Sequence, residues 1–209
     1  MTLVNIAVAV SGGGRSLANL LEHERKGQTK FKITCVLTSK HDCKGVSIAE
    51  KAGLPVFFHK FPLHHDQELN ISLESFLKKN KVEWIVLAGF LRPLPILSAW
   101  NSKIINIHPA LLPKFGGKGM YGHHVHSAVL ANKEVLSGAT IHFVNEKYDE
   151  GAIIAQVLVP VRNDDTAEEL AARVFAGECK LYPVVLNSLI SGTLPVAQNE
   201  IFVMDLTNG

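Results

Sequence analysis

Short apolar runs alternate with amphipathic segments almost from one end of this 209-residue chain to the other, and this alternation sets the strongest limit on its fold. Continuous apolar runs are typical of parallel strands that are covered on both faces, and the amphipathic segments between them are typical of helices. No internal repeat or Pro/Ser-rich linker divides the sequence. The pattern predicts one α/β domain over residues 1–209, built on an open, mostly parallel, doubly wound sheet of the Rossmann-like type.

The predicted strands and helices follow from this periodicity. The clearest helix is predicted at 68–79, where apolar residues recur on one face. Thr166 and Glu169 have the spacing of a capping box at the start of a long C-terminal helix, which Pro183 should kink or interrupt. In such a sheet, ligands bind beyond the carboxyl ends of the strands. The apolar runs predicted to be strands are 5–10, 33–38, 56–59, 84–88, 104–107, 139–144 and 153–160.

Charge and cysteine content exclude several classes of protein. With 21 Lys and Arg against 19 Asp and Glu, the net charge is +2, and no block of like charge marks a nucleic-acid arm or a membrane-surface patch. Cys35, Cys43 and Cys179 lack the paired spacing of a zinc site, a redox pair or a disulfide framework. The apolar start is too short for a membrane span and has no basic flank. We therefore expect a cytoplasmic protein with no nucleic-acid or membrane partner.

A glycine-rich loop follows the first predicted strand. It reads Ser11-Gly12-Gly13-Gly14-Arg15-Ser16 and leads into a helix that begins near Leu17. Glycines let the backbone approach a ligand closely, and the N–H groups at a helix start favour an anion such as phosphate. The loop matches neither the P-loop nor the G-x-G-x-x-G pattern, so ATP and NAD are poor candidates. The sequence is also compatible with a strand-to-helix turn that binds no ligand.

The strand at 104–107 ends in Asn106-Ile107-His108-Pro109. Because strand side chains alternate with period two, Asn106 and His108 lie on one face and can converge on one atom. An amide donor beside an imidazole can stabilise an oxyanion and move a proton. The residues alone do not distinguish this interpretation from a pair that merely bonds the neighbouring loop.

A carboxylate for His108 could come from the acidic loop at 145–151, where Glu146, Asp149 and Glu150 compete. The sequence does not choose among them, and each could be a solvated turn residue. A carboxylate close to His108 would raise the pKa of the imidazole and favour its protonated form.

The remaining histidines carry no recognisable metal pattern. His123, His124 and His126 lack the spacing of a zinc site, so we predict no metal and interpret them as ligand-facing or simply polar. His64 and His65 are expected in a surface turn, and His142 at an ordinary strand position.

The chain resembles the folate-dependent formyltransferases, a family whose Asn-Ile-His-Pro-x-Leu-Leu-Pro segment is highly specific. The resemblance runs from Val4 to about Val196. The motifs that carry it are Val10-Ser11-Gly12-Gly13-Gly14, Leu87-Ala88-Gly89-Phe90-Leu91-Arg92, Ile105-Asn106-Ile107-His108-Pro109-Ala110-Leu111-Leu112-Pro113 and Asp149-Glu150-Gly151.

The resemblance implies that Asn106, His108 and Asp149 are catalytic. A primary amine of the substrate would attack the formyl carbon of 10-formyltetrahydrofolate, the co-substrate, while Asn106 and protonated His108 hold the oxyanion. Asp149 would orient the imidazole and assist proton movement. Neither a covalent enzyme intermediate nor a metal is implied.

The resemblance also implies two binding regions. The substrate phosphate would lie on Gly12, Gly13, Gly14, Arg15 and Ser16, with Glu178 contacting the glycinamide or ribose portion. The folate would contact Phe90, Leu91, Arg92, Leu94, Asn106, Ile141, Val144 and Asp149. Two departures from the family pattern are the absence of Asn between the loop glycines, and His64-His65-Asp66 where the family often has Ser-Arg-Glu.

Among the reactions of this family, transfer to glycinamide ribonucleotide in de novo purine (IMP) biosynthesis fits best. The chain ends soon after its last predicted helix, so we expect no RNA-binding extension and no tRNA substrate. It begins close to its first strand, which disfavours the hydrolase relatives with a preceding regulatory domain. The alternatives are a sugar-nucleotide amine as acceptor, formyltetrahydrofolate hydrolysis, or an idle nucleotide- or folate-binding module. The sequence leaves monomer or homodimer open, and the glycine-rich stretch at 116–124 is a candidate lid.

Overall fold

The computed structural model describes residues 2–61, 66–194 and 201–207. By the positions of its Cα atoms, the chain divides into two compact units, Met1–Ile105 and Asn106–Gly209, and strand β5 (Ile104–His108) contains the boundary. The single domain expected over 1–209 stays a prediction.

The first unit holds a parallel sheet with the strand order β3-β2-β1-β4. A short 3-10 helix at Ser98–Trp100 precedes β5. Because every pairing is parallel, the carboxyl ends of β1, β2 and β4 share one edge, with Val10 paired to Thr38 and Ala9 to Leu87. The elements are β1 (Val4–Val10), α1 (Arg15–Arg25), β2 (Phe31–Thr38), α2 (Lys44–Lys51), β3 (Val56–Phe58), α3 (Gln67–Lys79) and β4 (Trp84–Leu87).

Burial of apolar side chains explains why these strands and helices form in the first unit. The last five residues of β1 are fully buried, as expected for a central strand covered on both faces. Helix α3 buries Leu69, Leu73 and Leu77, the stripe that its periodicity predicts. Asp66 caps this helix, because its carboxylate accepts a hydrogen bond of 3.0 Å from the N–H of Leu69.

The second unit contains an antiparallel pair, β6 with β7, and the parallel strand β8 beside β7. Helix α5 packs against β6 and β7, and the absence of a side chain at Gly177 lets it lie close to Val157. The elements are β6 (Leu136–Phe143), β7 (Ile153–Pro160), β8 (Phe202–Asp205), α4 (His123–Ala131) and α5 (Ala167–Ile190).

The predicted α/β class with a mostly parallel sheet is confirmed, and each predicted strand is present. The strand at 153–160 has the predicted bounds, and the others have ends shifted by one to three residues. The capping box is also confirmed, since Thr166 and Glu169 bond reciprocally. Helix α5 runs unbroken through Pro183, which is buried, so the predicted interruption is wrong, whereas a kink at this residue stays a prediction. Burial of the helix offsets the lost hydrogen bond. Strand β8 was not predicted from the sequence, and part of the stretch at 116–124 is helix because α4 begins at His123.

None of the helices in the described parts of the chain combines the length and apolar character that crossing a membrane requires. The predicted turn at His64 and His65 lies outside the described residues.

Candidate active site

The carboxylate of Asp149, in the loop between β6 and β7, lies close to a backbone N–H and two histidine rings. Its Oδ2 accepts a hydrogen bond of 2.9 Å from the N–H of Gly117 and lies 3.4 Å from Nδ1 of His108. Its Oδ1 lies 3.5 Å from Nε2 of His142. The backbone of Asp149 is left-handed, with φ of 57°, a conformation that a short polar residue tolerates. Of the three acids that compete in the sequence, Asp149 is therefore the one that the fold turns toward the histidines.

The other two acids of this loop remain at the surface. Glu146 and Glu150 are exposed, and a carboxylate oxygen of Glu150 lies 3.3 Å from Nζ of Lys147. Exposed pairs of this kind contribute little to stability. Both are therefore solvated turn residues, which was the alternative to a role beside His108.

His108 is held at the end of β5, where its side chain is 4% exposed. Its Nε2 lies 2.8 Å from the carbonyl oxygen of Phe115. A carbonyl only accepts, so Nε2 carries a hydrogen, and in the neutral ring Nδ1 presents its lone pair toward Asp149. Phe115 itself has a left-handed backbone, with φ of 58°.

Burial lowers the pKa of His108 below its ordinary value. The charge of Asp149 and the carbonyl of Phe115 oppose this shift without reversing it. The carboxylate of Asp149 raises the pKa of His108 as expected, but desolvation of the buried ring outweighs this attraction, so the net shift is downward. At neutral pH the imidazole is neutral and able to take up a proton.

Asp149 stays ionised despite its partial burial. Burial alone raises the pKa of its carboxyl, but the nearby rings of His142 and His108 and the N–H of Gly117 together lower it below the ordinary value. An ionised carboxylate beside a neutral imidazole stabilises any proton that the imidazole receives.

His142 connects Asn106 to Asp149. Its Nδ1 lies 2.8 Å from the carbonyl oxygen of Phe143, which places a hydrogen on Nδ1 and leaves Nε2 as an acceptor. Nδ2 of Asn106 donates to this Nε2 over 3.1 Å. From the sequence, His142 is expected at an ordinary strand position with no role in the site. A signal was present, since a histidine at the end of a strand that leads into an acidic loop can turn toward that loop.

Thr140 fixes the segment that follows β5. Its hydroxyl donates to the carbonyl of Ala110 over 2.7 Å and accepts 3.0 Å bonds from the N–H of Leu112 and from Gln156. All of the hydroxyl's hydrogen-bonding capacity is thus used inside the protein. This contact, which the sequence did not reveal, holds the chain directly after His108.

The glycine-rich loop of the first unit approaches α2 closely. Gly14 has φ of 65°, and a Cβ placed on it would lie 2.6 Å from Cα of Gly45. The N–H of Gly45 donates to the carbonyl of Gly12 over 3.1 Å. Gly12 and Gly13 are exposed, and α1 begins directly after Gly14, which has no side chain that could cap it. The loop therefore presents backbone at a helix start, where an anion binds favourably.

Comparison with known proteins identifies the family. Residues 4–186 match the formyl transferase family. The chain belongs to this family. Phosphoribosylglycinamide formyltransferase of Vigna unguiculata, a chloroplastic protein, is 45% identical over 189 residues, which are 88% of this chain and 60% of that protein. The chain therefore spans less than two thirds of this relative's length.

Two further relatives of this formyl transferase match over nearly their whole length. Phosphoribosylglycinamide formyltransferase of Haemophilus influenzae is 34% identical over 198 residues, which are 93% of this chain and 91% of that protein. The crystal structure of phosphoribosylglycinamide formyltransferase from Anaplasma phagocytophilum superimposes with a TM-score of 0.84 at 29% identity, covering 98% of this chain and all of the other. The fold is thus that of this enzyme family.

The structure places the other residues implied by the family resemblance in two regions. In the first unit, Arg15 and Ser16 open α1, and Phe90, Leu91, Arg92 and Leu94 follow β4; Phe90 and Leu94 are buried, whereas Leu91 and Arg92 are exposed. In the second unit, Ile141 is buried on β6 and Val144 is half-buried directly after it. Their roles in binding stay predictions.

Glu178 lies half-buried in the middle of α5. It is one helical turn from Tyr182, and burial together with the charge of Glu178 raises the pKa of Tyr182. The proposed contact of Glu178 with a substrate also stays a prediction.

The histidines of α4 differ from one another in environment. His123 and His124 are exposed, and Nε2 of His123 lies 3.2 Å from a carboxylate oxygen of Glu168. His126 is buried, and burial followed by the charges of His123 and His108 lowers its pKa to about 4. Across the described residues, no three His, Cys, Asp or Glu side chains are grouped so that they could hold a metal ion.

Proposed function

We propose that this formyl transferase moves the formyl group of 10-formyltetrahydrofolate to the amine of glycinamide ribonucleotide, a step of de novo purine biosynthesis. The observation that carries the proposal is the buried cluster in which His108 and His142 flank the carboxylate of Asp149, with Asn106 bonded to His142. The names of the full-length relatives support the choice of acceptor.

The reaction requires a place for a negative charge and a path for a proton. When the amine attacks the formyl carbon, the carbonyl oxygen becomes an oxyanion and the attacking nitrogen becomes positively charged. The amide of Asn106 has two N–H donors, and only one of them is used by His142. The second is available to the oxyanion.

His108 is suited to the proton transfer. A neutral imidazole can accept the proton that the attacking amine must lose, and the adjacent carboxylate of Asp149 stabilises the resulting imidazolium. The same proton can then pass to the folate nitrogen as its bond to the formyl carbon breaks. Atoms and charge balance in this sequence without a covalent bond to the enzyme.

Ligand binding is assigned within each unit separately. The substrate phosphate would lie on the backbone of Gly12, Gly13 and Gly14 at the start of α1. The folate ring would pack on the segment of the first unit that contains Phe90. We further propose that the enzyme is cytoplasmic, needs no metal and acts as a monomer or homodimer.

The test is an absorbance assay of folate deformylation with the purified protein, a 10-formyl-dideazafolate analogue, and glycinamide ribonucleotide either present or absent. Turnover that depends on the amine supports the proposal. Turnover without the amine would assign a hydrolase instead. Turnover only with an amino sugar nucleotide would assign the alternative acceptor, and folate binding without any turnover would assign a binding module.

A further inference from the structure

Ser11 forms a junction at the carboxyl edge of the sheet in the first unit. The residue is 1% exposed and directly follows β1. Its Oγ accepts a hydrogen bond of 3.1 Å from the N–H of Leu91 and shares a bond of 2.7 Å with Oγ of Ser39. Its own N–H donates to the carbonyl of Gly89 over 3.1 Å. One buried residue thus connects the chain segments that follow β1, β2 and β4.

Two of the three connected segments, those after β1 and β4, are the ones that the proposed function assigns to ligands. Ser11 begins the glycine loop, so a shift of Gly12 or Gly13 moves the backbone of Ser11 with it. Leu91 lies in the segment after β4, next to the buried Phe90. Gly89, which precedes this segment, has a left-handed φ of 73°, a conformation that is strained for residues other than glycine. This conformation sets the direction of the carbonyl that accepts from Ser11.

The Ser11 hydroxyl makes two hydrogen bonds at once. Through its two lone pairs and its single hydrogen it can accept from Leu91 and bond to Ser39 at the same time. An alanine at this position would remove the acceptor of the Leu91 N–H and with it a part-buried hydrogen bond.

We propose that Ser11 is a positioning residue that couples phosphate binding on the glycine loop to folate binding on the Phe90–Leu91–Arg92 segment; this rests on the proposed function. A phosphate that orders the loop fixes Ser11, and Ser11 in turn fixes the backbone of Leu91. The folate then binds to a segment that is already ordered. Coupling of this kind is reciprocal, so each ligand raises the affinity for the other by the same factor.

The experiment measures the dissociation constant of a dideazafolate analogue that lacks the formyl group, by calorimetry, with and without saturating glycinamide ribonucleotide. For the unchanged protein we expect the nucleotide to lower this constant by about tenfold, within the usual range of coupling between sites. For Ser11→Ala the ratio of the two constants should fall to about one. A ratio that survives in Ser11→Ala overturns the proposal, and so does a ratio of one in the unchanged protein.

Ser39→Ala is the matched control. It removes the hydroxyl that bonds to Ser11 but leaves the N–H of Leu91 bonded to Ser11 Oγ. Most of the coupling should therefore remain. If Ser39→Ala abolishes the coupling as fully as Ser11→Ala does, the Leu91 bond is not the link and the proposal fails.

A second measurement needs no variant and covers the case in which Ser11→Ala does not fold. Hydrogen exchange at the amide of Leu91 should slow about tenfold when the nucleotide alone is added to the unchanged protein. Unchanged exchange at Leu91 contradicts the coupling. The two proposals fail separately: absence of amine-dependent turnover sinks the proposed function, whereas turnover without any coupling ratio sinks only the role of Ser11.

Discussion

Asn106 donates from Nδ2 to Nε2 of His142 over 3.1 Å, and the same Nε2 lies 3.5 Å from Oδ1 of Asp149. The amide is therefore held in one orientation, because its nitrogen must face the ring and its oxygen must face away. An amide fixed in this way keeps its second N–H aimed in a constant direction. Such preorganisation is what makes a donor useful to a developing oxyanion.

The first prediction concerns His142→Ala. The change removes the acceptor of Asn106 and one neighbour of Asp149, so the donor is no longer held in place. Loss of orientation worth about 1.4 kcal/mol would lower kcat about tenfold. Steady-state kinetics checks this, with His124→Ala, an exposed histidine of α4, as the matched control. Equal kcat in the two variants would show that His142 has no part in the reaction.

The second prediction concerns Asp149→Asn. The amide retains the shape of the carboxylate but not its charge, so it no longer stabilises a proton on His108. We expect kcat to fall about 10²- to 10⁴-fold, the usual contribution of general acid–base catalysis, with nearly unchanged binding of both substrates. Glu150→Gln in the same loop, which changes an exposed carboxylate, should keep normal turnover. A mild effect of Asp149→Asn would refute its assigned role.

The third prediction concerns Gly151→Ala. A Cβ on Gly151 would lie 1.6 Å from the carbonyl oxygen of Phe143 and 3.4 Å from Nδ1 of His142, so the backbone must move. We expect a loss of about 3 kcal/mol or more in the free energy of unfolding, as for severe backbone clashes. Urea unfolding measures it. Gly12→Ala, where a Cβ meets nothing within 4 Å, should leave stability within about 0.5 kcal/mol.

The sequence predicted the fold from features that are repeated along the chain. Apolar runs such as the buried half of β1 occur in one segment after another, and each predicts a covered strand. An interruption at Pro183 follows from a local rule on proline, and the burial of α5 overrides that rule. Strand β8 was missed because Phe202–Asp205 is short and lies against one neighbour only.

The candidate site was predictable only in part. Asn106 and His108 are two residues apart on one strand, so their shared face follows from strand geometry. The choice of Asp149 over Glu146 and Glu150 depends on a left-handed turn, which periodicity does not encode. The neutral state of His108 depends on its burial, and burial of a single ring is a property of the packed structure.

The last prediction concerns pH and His126. Its pKa in the folded protein is about 4, against 6.5 for an unperturbed histidine, because the ring is buried and then because of the charges of His123 and His108. Between these two values the unfolded chain binds a proton that the folded chain does not. The contribution of His126 to the free energy of unfolding is therefore fully present above pH 6.5 and is lost as the pH drops toward 4.

His126→Leu isolates this effect. The variant keeps an apolar side chain at a buried position and removes the titrating group, so its stability should fall less between pH 6.5 and 4 than that of the unchanged protein. His108, whose pKa burial also lowers, contributes a loss in the same direction to both proteins and cancels in the difference. Urea unfolding at several pH values gives the two curves, with a substitution of an exposed histidine, His124→Gln, as a control for histidine content. Parallel curves for His126→Leu and the unchanged protein would mean that His126 titrates alike in the folded and unfolded chains, and that its burial does not keep it neutral.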